Sequence, residues 1–72
     1  MYIVFDVRSV VDLEIVKQQI ADWAQQYQIQ YTQKTIKNQH RLGLNRERDF
    51  TLFRMSWQGE PYEIVNIGNE GY

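Results

Sequence analysis

Residues 50–57, FTLFRMSW, decide how this chain is built. Thr51, Phe53, Met55 and Trp57 alternate with Phe50, Leu52, Arg54 and Ser56. Aromatic and β-branched residues at period two suit a pleated, half-buried surface, so the pattern predicts a strand over 50–57. Gln58, Gly59, Glu60 and Pro61 supply turn residues directly behind it. A strand over 62–67 (YEIVNI) is then expected to return as the second arm of a hairpin.

Upstream, residues 38–49 (NQHRLGLNRERD) combine Asn38, Gly43 and Asn45 with alternating charge, which reads as a long connection. Residues 29–37 place Ile29, Tyr31 and Gln33 in alternation and predict a strand. Over 10–27, Leu13, Val16, Ile20, Trp23, Ala24 and Tyr27 recur at spacings of three and four, the stripe of an amphipathic helix. Ser9 followed by Asp12 resembles a capping box, and Asp12 and Glu14 suit the positive end of the helix dipole. Residues 1–8 put Ile3, Phe5 and Val7 on one side and Tyr2, Val4 and Asp6 on the other, a further strand.

The expected fold class is therefore α+β: one small β-α-β-β-β domain over 1–72, a mostly antiparallel four-stranded sheet with one amphipathic helix packed on one face. A chain of 72 residues can hold one hydrophobic core. Stability on the order of 4 to 11 kcal/mol follows from that length and leaves little surplus for a strained active site. The absence of Cys excludes disulfides and thiolate chemistry. The opening MYIVFDVRS sets Asp6 and Arg8 beside a short apolar run, unlike a secretory signal, so a cytoplasmic location is expected.

A single helix covers one sheet face. The other, carrying Tyr2, Phe50, Leu52 and Tyr62 by alternation, is expected either to be an apolar partner surface for a protein or a second copy, or to be buried as ordinary core where the termini or the 38–49 connection fold across it. The net charge of −1 is unevenly spread. Lys34, Lys37, Arg41, Arg46, Arg48 and Arg54 concentrate within 34–54, against only Glu47 and Asp49 there. With His40 in the expected loop, Lys34, Lys37, Arg41, Arg46 and Arg48 form the second candidate partner-binding group, and Tyr31 and Phe50 at its borders are candidate stacking platforms for bases.

Catalytic chemistry finds little support. His40 is the sole histidine and has no nucleophile signature near it in sequence, so it reads as an exposed loop residue. Asp6, Glu60 and Glu63 do not match a Ca²⁺ loop, and GNEG at 68–71 precedes no helix that would cradle phosphate. Trp23 and Trp57 occupy inward positions and are expected in the core. No catalytic residue, metal, cofactor, small-molecule substrate or membrane is expected. The leading expectation is a non-enzymatic protein-binding module acting by surface occlusion, as small regulators from phages and mobile elements do when they inhibit a host system. The alternatives are a nucleic-acid-binding module using 34–54 and a self-assembling structural protomer.

Overall fold

The computed structural model describes residues 1–65. Along the chain run β1 (Tyr2–Asp6), α1 (Val10–Tyr27), β2 (Tyr31–Ile36), β3 (Gln39–Leu44), α2 (Glu47–Ser56) and β4 (Glu63–Val65). The strands form one open sheet in the order β2-β3-β1-β4, and every neighbouring pair is antiparallel. The chain is thus a small α+β fold with two helices, in the element order of a split βαβ, or ferredoxin-like, arrangement. Its two crossovers interleave: β3 lies between the ends of the first, and β1 between the ends of the second.

Helix α1 occupies the expected residues. The Ser9 hydroxyl accepts from the Asp12 amide at 3.1 Å, and the Asp12 carboxylate accepts from the Arg8 amide at 3.2 Å. These contacts satisfy amide groups at the helix start. At the other end Gln28 turns left-handed (φ 55°), and the Ile29 amide returns to the Ala24 carbonyl at 2.8 Å. Val16, Ile20, Trp23 and Ala24 form the buried face.

Three expectations are corrected. Residues 38–49 are not a long loop, because only Lys37 and Asn38 separate β2 from β3. His40, Leu42 and Leu44 point inward while Arg41 and Gly43 point outward, a period-two run hidden by a polar inner residue and by a charge and a glycine outside. Lys37 takes the left-handed conformation (φ 53°) that so tight a reversal demands.

Residues 50–57 are not a strand: 50–56 lie in α2 and Trp57 is its C-cap. Phe50, Phe53 and Trp57 recur at three and four and all pack in or against the core, whereas Met55, which shares the face of Phe53 and Trp57 in a strand, is 82% exposed. Glu47 and Asp49 in the first turn and Arg54 in the last match the helix dipole.

The expected hairpin is absent as well: β4 pairs with β1 through Tyr2↔Val65, Ile3↔Ile64 and Val4↔Glu63. Residues 66 and 67 of the expected last strand lie outside the described residues.

Both helices pack on one sheet face, where Ile3, Phe5, Val7, Ile20, Trp23, Leu42 and Phe53 form the core. Trp23 Nε1 donates to Ser56 Oγ at 2.8 Å and ties α1 to α2. Between α2 and β4 the chain is fastened to α1, since Gln19 Oε1 accepts from the Glu60 amide at 2.9 Å and Trp57 Nε1 donates to the Glu60 carbonyl at 2.8 Å. Gly59 sits inside this clasp. A Cβ there would meet the Gln19 carboxamide and stand 2.6 Å from Trp57 Cζ2. Gly59→Ala is expected to cost about 1 to 3 kcal/mol by overpacking. Urea unfolding measures this, and an unchanged midpoint would mean that the clasp yields without loss.

Candidate interaction surface on the open sheet face

The face turned away from the helices is set by register. Ile3 and Phe5 point into the core, so Tyr2, Val4 and Asp6 point outward, and pairing carries that alternation across the sheet. Three lateral rows result. The first is Thr32, Gly43, Tyr2 and Val65; the second is Lys34, Arg41, Val4 and Glu63; the third is Ile36, Gln39 and Asp6. Neighbouring strands stand about 4.8 Å apart, so the second row runs from two cations through a valine to a carboxylate over roughly 14 Å.

Arg41 sits at the middle of this surface. Its Nε and Nη2 donate to Gln39 Oε1 at 3.3 and 3.1 Å, and its Cζ lies 4.9 Å from the Tyr2 ring centroid. A guanidinium over an aromatic face is attracted by the ring quadrupole, which holds the long side chain down on the sheet. Tyr2 is only 6% exposed. Beside it, a hollow of about 320 Å³ is lined by Val4, Asp6, Gln39, Pro61, Tyr62 and Glu63. Its charged members are both carboxylates.

Of the expected partner-binding residues, Tyr2, Lys34 and Arg41 share this face. Lys37 is at the hairpin tip, while Arg46 and Arg48 lie past the opposite end of β3 at the start of α2. The basic segment is therefore divided among separate places. Phe50, Leu52 and Tyr62 leave the expected apolar surface: Phe50 is buried in the core, Leu52 packs against it, and the Tyr62 ring is 4.8 Å from that of Phe53. Tyr31 faces the helices and packs against the core, so neither expected stacking platform lies on the open face. Gln39 was not singled out from sequence because it lay in the expected loop, and Val65 was not placed beside Tyr2 because only the sheet order brings β4 next to β1.

His40 is a correction of another kind. It is 2% exposed and belongs to the inner face, opposite Phe5 and Thr35. Its Nε2 lies 3.0 Å from Gln33 Oε1, which can only accept, so Nε2 carries the proton. Nδ1 in the neutral ring then accepts from the Thr35 hydroxyl at 2.8 Å. Burial, and after it the positive charge of Lys17 on α1, hold its pKa below the ordinary 6.5.

The unfolded chain therefore takes up the proton first as pH falls. The contribution of neutral His40 is complete above about 6.5, is lost progressively below it, and stops changing once the folded-state value is passed. The melting temperature is expected to drop between pH 7.5 and 5, and to drop less in His40→Gln. Equal drops in both proteins would count against this assignment.

Among the described residues, no group of three or more His, Cys, Asp or Glu side chains is placed to hold a metal ion. No helix among them is long and apolar enough to cross a membrane. No family model matches the chain, and neither the curated proteins nor the solved structures contain a significant match to it.

Proposed function

We propose that the protein is a non-enzymatic protein-binding module that works by covering a partner with the open face of its sheet. The observation that carries this reading is the composition of that face, where the half-buried Val4 and Val65 flank a buried Tyr2 and Lys34, Arg41, Asp6 and Glu63 carry charge among them. Apolar and charged side chains mixed in this way match the composition of a non-obligate protein interface. The helix-covered face is committed to the core. Occlusion of a host component by a phage or mobile-element regulator would use such a surface without any chemistry of its own.

The test compares capture by the full chain with capture by two variants. Val4→Glu places a charge in the open face, whereas Met55→Glu changes an exposed position on α2. One defined protein retained by wild type and by Met55→Glu, but lost with Val4→Glu, is the expected result. Retention by all three would remove the open face from the function. A random oligonucleotide pool serves as the control, because phosphate binding falls steeply with salt. A salt-sensitive mass shift with oligonucleotide alone would transfer the function to nucleic acid.

A further inference from the structure

Charge order across the open face points to a particular occupant. The row Lys34, Arg41, Val4, Glu63 carries positive charge on the β2–β3 half of the sheet and negative charge on the β4 edge. Asp6, on β1 in the next row, lines the hollow with Glu63 and is itself paired with the exposed Arg8 at 3.5 Å. Such a surface is its own electrostatic complement under one operation. A two-fold axis parallel to the strands, between two stacked sheets and midway between β3 and β1, exchanges β2 of one copy with β4 of the other. Lys34 then stands over the second copy's Glu63, and Arg41 stands over Val4 at the mouth of the acidic hollow. A two-fold axis perpendicular to the strands places each half over its like and loses this match.

We infer that the open face binds a second copy of this chain, sheet on sheet, with the two-fold axis along the strands. The inference rests on the open face being the working surface, and it specifies the partner. An isologous interface repeats every contact twice, so each cation–carboxylate approach occurs in both halves. Aligned sheets pack about 10 Å apart with interdigitating side chains, which Val4 and Val65 supply here.

Light scattering and sedimentation equilibrium on the full chain test this. The wild type is expected to be a dimer. Glu63→Lys makes the row positive at both ends, and the double variant Lys34→Glu with Arg41→Glu makes it negative. Each alone is expected to weaken dimerisation about tenfold or more, since like charges face one another across the axis. Mixed in equal amounts the two are expected to recover a dimer containing one copy of each, which neither can form alone.

Glu63 and Lys34 are exposed, so the fold is expected to be retained, which circular dichroism checks, and Glu63→Lys with Lys34→Glu alone repeats the mixing test should the double variant fail to fold. A monomer at every concentration overturns the inference, while the capture experiment with Val4→Glu still decides whether the face serves another protein. A dimer indifferent to both reversals, or one not recovered by mixing, also overturns it.

Discussion

Phe53→Ala is expected to remove about 3 to 5 kcal/mol of stability, as deletion of a buried aromatic ring does. Against a total on the order of 4 to 11 kcal/mol, that leaves much of the chain unfolded at physiological temperature. Phe53 has no exposed surface and joins the two helices to the sheet through aromatic contacts. Its ring stacks on Trp57 at 4.6 Å and meets the edges of Trp23 at 5.0 Å and Tyr62 at 4.8 Å, with Phe5 at 6.3 Å. Such pairs contribute roughly 0.5 to 1.5 kcal/mol each beyond simple burial. Truncation leaves a hole bounded by rigid rings, which collapse poorly. Phe53→Leu keeps more of the volume and is expected to cost less. Chemical denaturation measures both, and a loss under about 1.5 kcal/mol in the alanine variant would show that the ring is not the centre of the core.

Thr51→Pro is expected to cost about 3 kcal/mol or more, while Thr51→Ala raises stability by a few tenths. Thr51 is exposed in the interior of α2. Proline there deletes the amide that bonds back to the Glu47 carbonyl and collides with that turn. Alanine replaces a β-branched residue by the best helix former without disturbing any buried contact. In a strand the alanine effect has the opposite sign, since threonine is favoured there. Urea midpoints of the pair therefore report the secondary structure directly, and a lower midpoint for Thr51→Ala would contradict a helix over Glu47–Ser56.

That sign test falls on the segment where sequence reasoning failed. Phe50, Phe53 and Trp57 satisfy helical spacing, and Phe53, Met55 and Trp57 satisfy alternation, so aromatic content tipped the reading toward a strand. The discriminating signals were charges, Glu47 and Asp49 before the aromatics and Arg54 after them. Arg46 at the N-cap makes no side-chain capping bond, which removed the usual start mark. Helix α1 was legible to the residue because Ser9 and Asp12 announce its start and its stripe is long. β3 was hidden because its inner face spends one position on His40. Of the open face, Tyr2, Lys34 and Arg41 were legible as residues, but their assembly with Glu63 depends on β4 crossing to the far side of β1, which no local pattern encodes.

The interleaving of the two crossovers also bears on how the chain folds. β1 lies upstream of both its neighbours, with Ile3 paired to Leu42 on one side and to Ile64 on the other. Among the described residues the one local strand pair is the β2–β3 hairpin, which can close within microseconds together with α1. The central strand must wait for two distant segments, and each closure loses chain entropy before any contact repays it. Folding is thus expected to be slower than this length alone would set. Until β4 docks, the segment carrying Ile3 and Phe5 has an unpaired edge, the state of this chain most open to chaperones and to aggregation.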